Sequence, residues 1–451
     1  MNATDHVLIG HQCTGNLLPA VQRELMAGGE IAGTYKTVDI QPAEFPAAIP
    51  GILEEYAGFE CAEPFQEAII PFLPDLDWSA ACSQSVSMVW QGRGYNTDLL
   101  GFLRDCPDLA SHRILLLGAG QGSRTFACAA AQTGAPIWIM DQSNEQACRL
   151  AAEVRSMIPG CRIHSLDCLE DWLSLNCSGQ DTAEPDSRQF PWALVNNAPQ
   201  AEGLPFSPAL LVHFSWIYDT IYFPVASRLA LAARSHGIAV RGGPQRLVSQ
   251  ALAAQLTWHP GTKFSIDCLA SVRRKLVSLI FKAAPQTLIL NGFMGSGKTT
   301  VGKILAASLK LPLTDLDRVI EQVSCRTIPE IFAESGEPAF RAIERRELAR
   351  ILQNRFSQVL AVGGGALIDP AVDAIIPDTA IVVYLDTPLE MIEDRVGNCE
   401  GRPLLHGQAV ERRRSLYRQR LPRYLETADL RVCSFGQPEQ VAGLILAGLG
   451  I

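Results

Sequence analysis

The segment Asn291-Gly-Phe-Met-Gly-Ser-Gly-Lys-Thr-Thr300 has the residue types and spacing to hold a polyphosphate. It reads Gly292-x-x-x-x-Gly297-Lys298-Thr299, the complete phosphate-loop pattern. Glycines let a backbone curl with its N–H groups pointing inward. A following helix adds the positive end of its dipole. Lys298 can place a charge on the outer phosphates, and the Thr299 hydroxyl can ligate Mg²⁺.

Other residues could complete a transfer site. Leu313-Thr-Asp-Leu-Asp317 puts Asp315 and Asp317 at i and i+2. On a strand that spacing turns both carboxylates to one face. At a strand's C-terminal end they would face the phosphates, one holding Mg²⁺ and the other orienting a hydroxyl. The alternative is a capping pair on a surface turn. Val359-Leu-Ala-Val-Gly363-Gly-Gly-Ala366 reads as a buried strand ending in three glycines, which admit a ligand against the backbone. Arg341, Arg395, Arg402 and Arg420 each read alone as solvated surface charge. Only the constellation lifts Arg341, Arg402 and Arg420 above that reading, and the guanidinium fork suits the carboxylate clamp that the resemblance described below implies for Arg341 and Arg420.

These residues need an α/β scaffold. A strand at 287–290 precedes the loop and a helix at 301–310 follows it, the context the motif requires. A further strand is expected at 380–385. In the first half, strands at 7–10 and 36–40 alternate with helices at 17–26 and 47–56. Arg113-Ile-Leu-Leu-Leu-Gly118-Ala-Gly120-Gln-Gly122-Ser123 runs from a strand into a glycine-rich turn, with a helix expected at 125–133. The strand at 136–140 then ends at Asp141, about 20 positions past the turn, where a ribose-binding acid belongs in a Rossmann unit. The polar stretch 178–188 reads as a surface loop. Residues 281–286 read as a short separator after a helix at 268–280, with no long linker.

The fold class is α/β, with a Rossmann-like unit in the first half and a phosphate loop in the second; the family resemblances set out below imply an N-terminal α/β substrate domain plus a Rossmann-like domain, then a P-loop kinase with a parallel sheet flanked by helices. The expected boundaries are 1–283, with 1–105 and 240–283 forming the substrate part and 106–239 the Rossmann-like part, and 284–451 for the kinase. A chain of 451 residues accommodates two or three domains. A net charge of −9 argues against nucleic acid as a partner. No stretch reaches the roughly 18 apolar residues of a membrane span, and no signal region opens the chain. The 13 cysteines form no C-x-x-C pair and the eight histidines no metal pattern, so free thiols and a cytoplasmic location are expected.

The first half resembles the shikimate dehydrogenase family. The matching blocks are Gly10–Pro19, Gly58–Glu67, Gln84–Val89 with Gly94–Asp98, Tyr218–Pro224 and Gly243–Ala251, in family order. The departures carry the functional reading. The family's two substrate serines fall on Asn16 and Leu18. Its Asn-Val-Thr triplet falls on Glu60, Cys61 and Ala62, its catalytic lysine on Gln66, a further asparagine on Ser87, and a methionine near the nicotinamide on Arg246. Asn96, Asp98, Tyr222 and Gln250 remain. Glutamine cannot move a proton near neutral pH, so the lysine–aspartate relay is lost. Glu60 is expected to bring a negative charge close to where a carboxylate substrate would sit. Asp98 and Gln250 read as remnants of a former site. Where the family carries an arginine for the 2′-phosphate of NADP, this chain has Asp141-Gln142, so any nicotinamide cofactor would be NAD. The resemblance also implies a homodimer through this region.

The second half resembles shikimate kinase. Its blocks are the phosphate loop, the Asp315/Asp317 pair, Gly336-Glu-Pro-Ala-Phe-Arg341, the triple glycine, Gly401-Arg402-Pro-Leu-Leu405 and Arg420, all in order. The resemblance implies ATP phosphates on Gly295, Ser296, Gly297, Lys298, Thr299 and Thr300, with Mg²⁺ at Thr299 and Asp315. It implies shikimate on Asp317, Arg341, Gly364 and Arg420, and a lid arginine, Arg402, over the transferring phosphoryl group. Lys298, Asp317 and Arg402 would be catalytic. The expected activity is ATP-dependent phosphorylation of the shikimate 3-hydroxyl, a step of chorismate and aromatic amino-acid synthesis, beside a first half without dehydrogenase activity. The alternatives are a bifunctional dehydrogenase–kinase and another small P-loop kinase.

Overall fold

A computed structural model describes residues 5–177, 190–198, 207–354, 356–396 and 409–451. The polar stretch at 178–188 and Arg402 with its Pro-Leu-Leu neighbours lie outside the described residues. The chain divides into two compact units, Met1–Leu276 and Val277–Ile451.

Among the described residues the first unit holds two six-stranded sheets. In one, the strand His6–Gly10 pairs in parallel with Tyr35–Asp39 and with Gly58–Cys61. Its members alternate with the helices Leu18–Gly28 and Phe45–Glu55. The other sheet is all parallel, centred on Arg113–Leu117, which pairs with Ile137–Met140 on one side and Trp192–Asn196 on the other. In sequence order its strands run 3-2-1-4-5-6, the doubly wound arrangement of a dinucleotide-binding unit. Its central strands are apolar at their middles, Leu115, Leu116 and Leu194 being buried, as expected where helices cover both faces of a parallel sheet.

The glycine-rich turn leads into a helix that starts earlier than its apolar spacing suggests, at Gln121–Gln132. Gly118 there has φ 94°, and a Cβ on it would lie 2.7 Å from the Asn197 carbonyl oxygen. Only glycine fits such a crossing.

The second unit has one parallel five-stranded sheet. The strand Thr287–Asn291 lies at its centre, between Gln358–Ala361 and Ile381–Asp386. Leu313–Asp315 and Leu430–Cys433 are its edges. The three inner strands are buried except at Asp386, and their C-terminal ends point to one rim. The loops at that rim carry the chemistry, as open parallel sheets require.

Two expectations are corrected. The separator expected at 281–286 is helix in its first half, since Ile266–Ala283 runs on into it. Val277, Ile280 and Phe281 supply an apolar stripe that is buried to the end, and the helix stops just before Pro285, where the pre-proline residue disfavours helix. The division between units accordingly falls inside this helix. The aspartate pair does not sit on one strand face either. Asp315 ends its strand and caps the helix Leu316–Ser324, accepting from the Asp317 and Arg318 backbone N–H groups. The Asp315 carboxylate turns the chain, so Asp317 sits in the helix's first turn.

Candidate functional site

The phosphate loop occupies the bend between Thr287–Asn291 and the helix Lys298–Leu309. Gly292, Gly295 and Gly297 have φ of 143°, 83° and 93°. Side chains rarely adopt such values, so the glycines are there for conformation. Lys298 Nζ donates to the Gly292 and Phe293 carbonyls at 2.8 and 3.0 Å, which holds the ammonium across the loop. Thr299 Oγ1 donates to Asp315 Oδ2 at 2.7 Å, bringing two hard oxygen ligands together at the start of the helix.

A cavity of about 1080 Å³ opens beside this loop. Gly295 through Thr300 and Asp315 line it, as do Asp317, Arg341, Gly364 and Arg420. The structure thus gathers every described residue that the sequence placed in the kinase site.

The acceptor end is built by close approach. The triple glycine follows the strand Gln358–Ala361. A Cβ on Gly363 would lie 2.8 Å from Glu344 Oε1 and 2.9 Å from Asp317 Oδ1. One on Gly365 would lie 2.5 Å from an Arg341 guanidinium nitrogen. These contacts explain the glycines, because any side chain would displace the polar groups. Arg420 donates to the Gly364 carbonyl at 3.0 Å, and the Tyr424 hydroxyl donates to the same oxygen. The two residues lie one turn apart on the helix Ala409–Glu426 and fix the glycine turn from beneath.

Glu344 was given no role by the sequence reading. It is 2% exposed. Its Oε2 accepts from Arg341 at 2.5 Å, while its Oε1 has no hydrogen-bond partner. Burial raises its pKa; the Arg341 charge opposes the rise and Asp317 adds to it. Its position three residues after Arg341 on one helix was the available signal. Glu337 also accepts from Arg341, at 3.1 Å, so the guanidinium is aimed from two sides.

In the first unit the residues singled out by the sequence make internal contacts. Asp98 is bridged by Arg246 at 2.8 Å. Gln66 donates to the Cys61 carbonyl and accepts from Ser85. Asn96 caps the helix Thr97–Asp105 and donates to Ser83 and Thr125. Gln250 is 8% exposed, and its backbone packs on Gly101. Tyr222 is half-buried. Asp141 accepts from the Ala119 and Ser143 N–H groups, closing the glycine-rich turn onto the next strand's end.

The expected negative charge at Glu60 is corrected. Glu60 is fully buried, hydrogen-bonded through one oxygen to Tyr35 and Gln22, and burial pushes its pKa up to about 8. It is therefore predominantly neutral at pH 7. An acid with no cation within hydrogen-bonding reach holds its proton when water is removed.

The family model described as shikimate kinase matches residues 294–449. A curated shikimate kinase of Novosphingobium aromaticivorans is 44% identical over 158 residues, covering 34% of this chain and 81% of that protein. The chain belongs to the shikimate kinase family. Its C-terminal unit is an ATP-dependent kinase of shikimate. The kinase match leaves the first unit uncovered, and solved structures describe that part. The ligand-free 5-ketofructose reductase of Gluconobacter sp. strain CHM43 is 21% identical with a TM-score of 0.52, covering 60% of this chain and 98% of its own. A chorismate mutase/shikimate 5-dehydrogenase fusion protein from Clostridium acetobutylicum is 18% identical with a TM-score of 0.50, covering 62% and 99%. These likenesses show a shared fold alone, the shikimate dehydrogenase-like one. A shikimate kinase fused to a dehydrogenase-like region is the resulting organisation.

Proposed function

We propose that this kinase transfers the γ-phosphoryl group of ATP to the 3-hydroxyl of shikimate with the residues gathered in the single cavity. The observation that carries the proposal is the arrangement of that cavity. A phosphate cradle, a carboxylate, a buttressed arginine and a glycine turn line it together. Asp317 accepts a hydrogen bond from the attacking hydroxyl and orients it in line with the phosphate loop. Arg341 and Arg420 hold the substrate carboxylate, and Gly364 lets the ring lie against the backbone. Lys298 leaves the loop carbonyls for the outer phosphate oxygens. Phosphoryl transfer needs positioning and charge compensation more than covalent help.

The paired oxygens of Thr299 and Asp315 fit Mg²⁺, which prefers one or two protein oxygens completed by phosphates and water. When bound it would screen the charge of the transferring group. Among the described residues no three His, Cys, Asp or Glu side chains gather as an all-protein metal site. Arg402, on the segment outside the described residues, is proposed to act on the phosphoryl group from a lid.

For the first unit we propose a non-catalytic role. Gln66 in the lysine's place supports that reading, as does Asp98 bound to an internal arginine. If a nicotinamide cofactor binds there, the acid at Asp141 favours NAD.

Phosphorus–proton correlation NMR of the reaction product tests the transfer site. A phosphate coupled to the proton on carbon 3 is expected. Coupling to carbon 4 or 5 overturns the placement of Asp317.

A further inference from the structure

Two acids meet over the glycine turn of the cavity. Glu344 lies on the helix Ile328–Leu352 and lines the cavity with Asp317. Its side chain is buried, and Arg341 occupies its Oε2. Its Oε1 has no hydrogen-bond partner among the described residues. A buried polar atom left over in this way calls for a reason, and a catalytic role is one. Gly363 decides what faces it. A Cβ there would lie 2.8 Å from Glu344 Oε1 and 2.9 Å from Asp317 Oδ1. The two carboxylate oxygens therefore approach each other across a backbone position with no side chain. They are no farther apart than those two distances laid end to end.

Three elements converge to make this pair. Asp317 comes from the helix Leu316–Ser324, Glu344 from Ile328–Leu352, and Gly363 from the turn after the strand Gln358–Ala361. The charged groups that act on Glu344 are Arg341 on its own helix, Asp317, and Arg420 on Ala409–Glu426. Burial raises its pKa and Asp317 adds to the rise, while the two guanidinium groups oppose it. Phosphoryl transfer leaves one proton to be placed. The acceptor O–H bond breaks and an O–P bond forms. The bond from the γ-phosphorus to the bridging oxygen breaks, and ADP leaves. A lone aspartate, with a pKa of about 3.9, takes up that proton poorly at neutral pH. A second ionised carboxylate alongside raises the proton affinity of the pair, and base catalysis improves as that affinity nears the working pH.

We infer that Asp317 and Glu344 form one proton-accepting pair: the hydroxyl proton passes to Asp317, and the negative charge on Glu344 holds it there until the product leaves. Glu344 is a positioning residue in this step, acting through Asp317, and it does so in addition to aiming Arg341. The need for that approach also accounts for glycine at 363, since a side chain there would force the two carboxylates apart. The inference rests on the phosphoryl-transfer reading of the cavity.

The pH dependence of kcat and of kcat/KM for shikimate tests it, measured on the full-length wild type, Glu344→Gln and Glu344→Asp. Activity falls on the acid side as the pair takes up a proton before the substrate does its work. Glu344→Gln removes the neighbouring negative charge and leaves Arg341 without its counter-charge. The acid limb should then move to lower pH by about one unit. On the plateau kcat should fall by on the order of tenfold, because the remaining base is weaker. Glu344→Asp keeps the charge, so its limb should stay near the wild-type position even where its shorter reach raises KM. Circular dichroism over the same pH range separates unfolding from titration. If Glu344 only aims Arg341 or holds a substrate hydroxyl, Glu344→Gln raises KM equally at every pH and leaves the limb in place, which overturns the inference. So does a limb that moves as far in Glu344→Asp as in Glu344→Gln. A wild type that turns over no shikimate overturns the phosphoryl-transfer reading and the inference with it, whereas an active wild type whose limb is unmoved by Glu344→Gln overturns the inference alone.

Discussion

Asp317 and Arg341 stand within one cavity but do separable work, and substitution should show it. Asp317→Asn keeps the shape and removes the charge that orients the hydroxyl. It is expected to lower kcat by about 10²–10⁴-fold while ATP affinity is retained. Arg341→Met removes the carboxylate partner and is expected to raise the KM for shikimate well beyond that for ATP. Glu344→Gln should show the same KM pattern more weakly, because Glu344 acts by aiming Arg341. Steady-state kinetics with each substrate varied in turn checks all three. Equal KM effects on both substrates for Arg341→Met would contradict the assignment. Most of this was legible from residue type and spacing, since the phosphate loop names its own chemistry. Glu344 was not, because a glutamate on an arginine-rich helix looks like any surface charge until its burial is seen.

The glycine turn and the buried strands decide stability and access at the scale of elements. Gly363→Ala places a methyl group within 3 Å of the Glu344 and Asp317 carboxylate oxygens, which must move out of place to admit it. It is expected to lose activity while the fold survives, as near-unchanged circular dichroism would show. In the first unit, two buried groups give opposite pH responses. His6 is fully buried against Trp258, with its Nε2 3.0 Å from His259 Nε2, and burial lowers its pKa from 6.5 to about 4. Its contribution is present above pH 6.5 and is lost as the unfolded chain takes up the proton on falling toward pH 4, a cost of about 3 kcal/mol. Glu60 runs the other way. Its raised pKa favours the fold at low pH, and stability falls as pH rises from 4.5 through about 8. Glu60→Gln should therefore raise the Tm at pH 8 and leave it nearly unchanged at pH 5. Thermal melts across that range check both signs, and no gain at pH 8 would mean that Glu60 is not held neutral. The apolar periodicity that announced the strands could not show this network. Tyr35, Gln22 and Glu60 meet only once helix and sheet are packed. The aspartate pair failed for a related reason: spacing on a strand assumes the strand continues, and the Asp315 cap ends it.

For the whole molecule, the fold class was readable throughout because alternating strand and helix signals and two glycine-rich turns each carry their own context. The boundary between units was less so, since a continuous helix crosses it without a change in composition. What the first unit does depends on single replacements that leave the fold intact. Restoring Gln66→Lys with Leu18→Ser is expected to give no hydride transfer while Arg246 still neutralises Asp98. Reduced-cofactor formation by that double variant would show the Arg246–Asp98 pair to be no barrier.

The central claim is that one chain holds an active kinase beside a silent dehydrogenase-like region. A paired assay on the purified full-length protein tests it most directly. One arm supplies ATP, Mg²⁺ and shikimate and follows ADP. The other supplies shikimate with NAD or NADP and follows the reduced cofactor. ADP release that depends on shikimate, without reduced cofactor, is the predicted result. Reduced cofactor in the second arm, or no ADP in the first, would contradict it.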